Sequence, residues 1–137
     1  MMKLVKAGTH GCGPCRRRAV AAVEFALCLP VIILLVLASI EACTMIFVQQ
    51  SLETTAYETA RFAVSPGDTG SLALQRGNQV LTDRGVNGAQ ISINPSSPQR
   101  QDQVDVSVTA PFDQNRMFPQ FFFGGQSLTA DVSMQKE

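Results

Sequence analysis

The sequence predicts an α+β protein: a long N-terminal transmembrane helix continuing as a stalk, then a short helix and a small antiparallel three-stranded sheet. Three observations predict it. An apolar run, Ala26 to Val48, follows the triple arginine Arg16-Arg17-Arg18; helical spacing of apolar residues persists to Val64; and beyond Gly85 the apolar period falls to two.

The run comes first. A spanning helix needs about 20 mostly apolar residues, and Ala26 to Ile40 with Ala42 to Val48 supply that length, Glu41 being the one charge within it. A cleaved secretory signal has an apolar region of about 7 to 15 residues closed by small residues. Here the pattern continues into Phe47-Val48-Gln49-Gln50 without a break, which favours an anchor. Lys3, Lys6, Arg16, Arg17 and Arg18 precede the run with no acidic residue among them, and an excess of Lys and Arg marks the cytoplasmic side.

Past the run, Leu52, Ala56, Ala60 and Ala63 recur at helical spacing with Gln, Glu and Thr between them, and Ser65-Pro66-Gly67-Asp68 ends the helix. A continuous helix from Val20 to Val64 would be roughly 65 to 70 Å long, about twice a membrane's thickness. Thr69 or Ser71 can cap a second helix through Leu72, Leu74, Val80 and Leu81, closing at Arg84-Gly85, with Gly77 a weak point in it. Three half-buried strands follow. Ile91 and Ile93 alternate with Ser92 and Asn94; Val104, Val106 and Val108 with Asp105, Ser107 and Thr109; Leu128, Ala130, Val132 and Met134 with Thr129, Asp131, Ser133 and Gln135. Turn residues separate them, so the sheet has one wet face and one face packed on helix.

The organisation expected is a basic cytoplasmic leader at 1–19, a transmembrane helix and stalk at 20–64 with its span at 26–48, and an extracytoplasmic domain at 69–137. With 137 residues in all, roughly 90 remain for a soluble portion, one small domain at most. Net charge is zero, but all eleven acidic residues and only six of the eleven basic ones follow Arg18. The exterior is therefore mildly acidic, which argues against a nucleic-acid partner.

Candidate chemistry is sparse. Cys12-Gly13-Pro14-Cys15 has the letters of a thioredoxin redox frame, whose reactivity depends on a leading strand and a helix starting at the first cysteine. Lys6 to Gly11 carry no strand pattern and no βαβ unit follows, so the leader is read as flexible with incidental cysteines. A zinc site from His10, Cys12 and Cys15 lacks a fourth leader ligand. Cys28 and Cys43 lie in the apolar helix, where free cysteine behaves as a small hydrophobe. After Val48 there is no histidine, no cysteine and no glycine-rich phosphate loop. The expectation is a protein without catalytic residues, metal site or cofactor.

Two carboxylates at membrane depth need a reason, because a charge there costs a few kcal/mol on insertion scales. Glu24 either reaches the headgroups or pairs with Arg17 or Arg18, or else serves recognition and assembly, with an N-terminal amine freed by processing meeting a neighbour's carboxylate in the bilayer. Glu41, close to the far interface, is read as a partly hydrated intramembrane polar position. Phe118, Phe121, Phe122 and Phe123 form an aromatic cluster between the last two strands, read as a plug over the small core, with a partner-binding patch as the sharper alternative.

These residues carry a resemblance. Arg17-Arg18-Ala19-Val20-Ala21-Ala22-Val23-Glu24-Phe25-Ala26-Leu27, then Leu29-Pro30, Ile40-Glu41, Phe47-Val48-Gln49-Gln50, Ala56 and Ala60-Arg61 resemble the N-terminal signature of TadE-like proteins, pseudopilins of the tight-adherence, or Flp, pilus system. The resemblance covers residues 16 to 64 in detail and the later strands in outline. It implies a minor pseudopilin-like component of pilus assembly in the bacterial inner membrane or in the pilus itself. Its partners would be other pilus or pseudopilin subunits, inner-membrane assembly proteins, the prepilin peptidase and membrane lipid. It further implies cleavage between Ala19 and Val20, leaving Glu24 fifth in the mature chain with Phe25 beside it as the recognition and assembly element; the family commonly has glycine where this chain has Ala19. The rival from another class is a single-pass envelope protein whose extracytoplasmic domain binds a non-pilus partner or ligand.

Overall fold

The computed structural model describes residues 13–67, 70–96, 99–117 and 124–136, with side chains from Ala19 onward. The elements run in the order α1 (Gly13–Ala63), α2 (Ser71–Asp83), β1 (Gln90–Asn94), β2 (Gln103–Pro111), a 3-10 turn (Phe112–Gln114) and β3 (Ser127–Gln135). Two helices and a three-stranded antiparallel sheet make the class α+β, as the hydrophobic periods predict. The chain divides between Leu37 and Ala38 into two units.

The first unit is helix. It begins at Gly13, inside the stretch read as a leader, with Pro14 in the first turn, where proline's missing N–H breaks no helical bond. Alanine and arginine, both strong helix formers, carry the helix from Arg16 onward. Every side chain from Ala19 to Val36 is exposed. Pro30 lies inside the helix, where it cannot donate to the carbonyl of Ala26. Its ring also crowds that carbonyl, so the hydrogen-bond ladder is loosened at this point.

The second unit, from Ala38, holds the core. Val48, Leu52, Ala56, Ala60 and Ala63 stack at helical spacing along one face of α1. They join Ala73 and Leu81 of α2, Val86, Phe112, and the inward side chains Val104, Val106, Val108, Ala110, Leu128 and Ala130 of the sheet in one cluster. Small residues on the helix let it come close to a surface of β-branched ones. Burial of a valine or leucine contributes about 1.5–3 kcal/mol, so the three β2 valines, each no more than 1% exposed, are a substantial source of stability.

The sheet is a simple meander with β2 at its centre. Register places Ser92 beside Ser107 and Ser107 beside Asp131, and aligns Gln90, Thr109 and Thr129 across the three strands. The outer face is thus polar along its whole width, while Val108 pairs with Ile91 and Ala130 on the inner one. The Thr109 and Thr129 hydroxyls lie 3.0 Å apart, and Gln103 Nε2 donates to Ser133 Oγ at 2.7 Å. Beyond the strand ends, Lys136 N donates to the Asp102 carbonyl and Gln101 N to the Lys136 carbonyl, so pairing continues past Gln103.

The N-terminus of α2 differs from the expectation. The residue at its N-terminus is Gly70 in the left-handed region (φ 88), with no side-chain cap; Ser71 lies within the helix and Thr69 is outside the described residues. Position 70 is set by close approach, since a Cβ there would stand 2.5 Å from the Ser96 carbonyl oxygen. The C-terminus does follow the glycine rule. Gly85 (φ 67) donates to the Thr82 carbonyl at 3.0 Å and Val86 N to that of Leu81 at 2.9 Å, while the side chains of Val86 and Leu81 are buried in the shared core.

Candidate functional site

Two places gather the residues that bear on function. The first is the exposed half of α1. Ala19 and Val20 lie within the helix, exposed, and the bond between them is part of a hydrogen-bonded turn. Glu24 stands one turn further on, exposed, and Phe25 beside it is 62% exposed. Leu27, Val31, Ile32, Ile33, Leu34 and Leu35 continue the surface. Helical rise puts Val20 N and the Glu24 backbone about 6 Å apart along the axis, so an amine freed at Val20 would lie within side-chain reach of a carboxylate at Glu24. Around them apolar side chains cover the whole circumference. A helix apolar on all sides is stable only where another apolar phase covers it, and this one is long and apolar enough to cross a membrane. Unpaired backbone polar groups are the main obstacle to such crossing, and a helix satisfies nearly all of its own, the Ala26 carbonyl at Pro30 being an exception.

The second place lies in the other unit, where the last turns of the apolar run meet the end of the sheet. Ile40, Cys43, Thr44 and Phe47 of α1 form one wall of an open groove of about 490 Å³, and Asn115 and Met117 form the other. The Asn115 wall is firmly built. Its Oδ1 accepts from Asn87 N at 2.6 Å, and its Nδ2 donates to the carbonyls of Asn87 at 2.9 Å and Pro111 at 3.0 Å. Asp113 accepts from Gly125 N and pairs with Arg116 at 3.3 Å. Phe112, fully buried, donates its backbone N–H to Gln126. Both ends of the β2–β3 connection are thereby held. Glu41, one turn before Thr44, is half-buried.

Among the other expected residues, Phe118, Phe121, Phe122 and Phe123 lie outside the described residues, as do His10 and Cys12; Gly13, Pro14 and Cys15 fall in the first turn of α1. Cys28 and Cys43 are free thiols on the helix surface. Among the described residues no group of three His, Cys, Asp or Glu side chains stands together to hold a metal ion.

Sequence reasoning missed the polar stripe beside the core. Apolar spacing places Thr55 and Thr59 among the polar residues between the apolar positions and does not single out Ser51, yet all three are fully buried. Each hydroxyl donates to the carbonyl one turn back, Ser51 to Phe47, Thr55 to Ser51 and Thr59 to Thr55, at 2.7 to 2.8 Å. Such self-satisfied hydroxyls are compatible with burial because no donor is left without a partner. The signal was present as a run of small residues spaced by four.

No curated protein and no solved structure matches the chain. The exposed apolar half of α1 and its continuation into the core do find a counterpart: residues 19–61 match the family model described as TadE-like protein, so this stretch is similar to that family.

Proposed function

We propose that the chain is a minor pseudopilin-like component of Tad/Flp-type pilus assembly, acting by helix packing and subunit contact and without catalysis. The observation that carries the reading is the TadE-like match over residues 19–61, which includes Glu24 on an otherwise apolar, fully exposed helix surface. In this reading α1 is anchored in the bacterial inner membrane with Arg16, Arg17 and Arg18 on the cytoplasmic side and the sheet outside. Other pilus or pseudopilin subunits and inner-membrane assembly proteins are its partners, and the prepilin peptidase is its processing enzyme.

Cleavage between Ala19 and Val20 would free an amine close to Glu24, and the pair would lower the cost of a carboxylate at membrane depth by meeting across a subunit contact. Because the bond lies within α1, the helix around it has to open for the peptidase to reach it. The test is the mature N-terminus of the protein made beside its own prepilin peptidase, by intact mass and terminal sequencing. A chain beginning at Val20 is expected. A chain that retains the leader under these conditions removes the processed-pseudopilin reading and leaves a permanent signal anchor.

A further inference from the structure

Met117 is 78% exposed, the most exposed large apolar side chain among the described residues. The residues leading to it are held: Asn115 two residues before it makes three hydrogen bonds, and Arg116 is paired with Asp113. The fold therefore holds a thioether out of the core, in the wall of the groove opposite Phe47. Phe47 is itself 51% exposed, and Ile46 beside it 57%. Among the described residues no charged side chain lines the groove.

The opposite wall identifies the occupant. Ile40, Cys43 and Phe47 are the last turns of the apolar run from Ala26 to Val48. A crossing takes about 20 residues; begun between Ala22 and Ala26, it ends between Glu41 and Met45, a few residues before Val48, where the apolar run closes. Ile46 and Phe47 then lie at headgroup level, and Met117, across the groove from Phe47, lies there too. We infer that this end of the sheet domain rests on the bilayer, with Met117, Ile46 and Phe47 immersed in its interfacial zone as a membrane contact additional to the spanning helix. A flexible, unbranched thioether suits an irregular lipid surface. The inference rests on the reading of α1 as a membrane helix.

The sequence contains no tryptophan, so a single introduced indole reports its own surroundings. The full chain carrying Met117→Trp, or separately Phe47→Trp, is reconstituted into phosphatidylethanolamine–phosphatidylglycerol vesicles doped with phosphatidylcholine brominated either near the headgroup or near the chain end. Ile33→Trp serves as the control within the span and Tyr57→Trp as the control on the water-exposed side of the domain. The expected result is blue-shifted emission from positions 117 and 47, quenched strongly by headgroup-proximal bromine, weakly by terminal bromine and little by aqueous iodide. Quenching by iodide alone places the groove in water, and quenching by neither places it against protein, such as a second copy; either overturns the inference while a bromine-quenched Ile33→Trp keeps the membrane helix. An Ile33→Trp that bromine does not quench overturns the membrane helix itself and the contact with it.

Discussion

Gly77 of α2 lies against Thr59 of α1 so closely that a Cβ at position 77 would overlap the threonine hydroxyl and come within 2.6 Å of Ile91 Cδ1. This one contact joins the two helices and the first strand. By helix propensity alone, alanine in place of glycine should stabilise α2 by about 1 kcal/mol. Packing decides the other way. Thr59 is fully buried and its hydroxyl is bonded to the Thr55 carbonyl at 2.7 Å, so it cannot turn aside without giving up that bond.

Gly77→Ala is accordingly expected to destabilise the chain by about 1–3 kcal/mol, the usual cost of overpacking, measured by denaturant unfolding in detergent. Thr59→Ala removes the obstructing oxygen, so the double variant should be less destabilised than the sum of the singles. Additive losses would show that the two residues do not compete for the same space.

Gly85 is the opposite kind of glycine. Nothing lies within 4 Å of where its Cβ would be, and its φ of 67 is all that selects it. Gly85→Ala is expected to cost about 1 kcal/mol through the left-handed backbone alone, and Gly85→Asn distinctly less. Equal losses from both substitutions would mean that side-chain crowding, not backbone conformation, fixes the position.

How far the sequence discloses these features depends on whether the cause is periodic or spatial. Alternation of Val104, Val106 and Val108 with Asp105 and Ser107 reports the strand and its buried face directly, because side chains in a strand point to opposite sides in turn. Gly85 after an amphipathic segment reports a helix end for a local reason, its freedom at positive φ. Gly77 and Thr59 are 18 residues apart in the numbering, and nothing local marks either as the other's neighbour. Read locally, the glycine weakens a helix and the threonine faces water; packed, each makes room for the other. The same holds for Asn115, an unremarkable polar residue in sequence whose role depends on Asn87 lying opposite. The apolar run was legible as a membrane-length helix because length and composition define that property, whereas the groove at its end needed the sheet to be placed beside it.

Asn115 gives a prediction of its own. Its amide meets both the N–H and the carbonyl of Asn87, in the manner of a neighbouring strand, and ties in Pro111 as well. Asn115→Ala should lower stability by about 1–2 kcal/mol, given roughly 1 kcal/mol per hydrogen bond and partial replacement by water at a half-exposed site. Asn115→Asp keeps the acceptor for Asn87 N–H but sets a carboxylate against two carbonyls, and should cost at least as much. Amide hydrogen exchange at Asn87 should accelerate in the alanine variant. Unchanged protection there would show that the loop is held by other contacts.

Leu52 and Leu34 share a helix and differ in surroundings: the first is fully buried in the core and the second is 49% exposed in the apolar half. Leu52→Ala is expected to cost about 2–5 kcal/mol, the range for a leucine removed from a packed interior. Leu34→Ala should leave the unfolding of the sheet domain unchanged within about 0.5 kcal/mol. A comparable loss from Leu34→Ala would mean that the apolar half of α1 is covered by protein, and lipid would no longer be its solvent.

The carboxylates on α1 separate assembly from folding. Glu24 is exposed on the apolar half and Glu41 is half-buried in the unit that contains the sheet. In the pseudopilin reading Glu24 meets an amine of another subunit, so Glu24→Ala should leave the chain folded and inserted, with the unfolding midpoint of the sheet domain unmoved, while pilus assembly is lost. Glu24→Gln keeps the shape without the charge and should fail in the same assay, because a neutral amide cannot offset a buried ammonium group. Glu41→Ala is expected to leave assembly intact. Normal pili from both Glu24 variants would remove the charge pairing and with it the strongest reason for a carboxylate at that depth; failure of Glu24→Ala with success of Glu24→Gln would mean that hydrogen bonding, not charge, makes the contact.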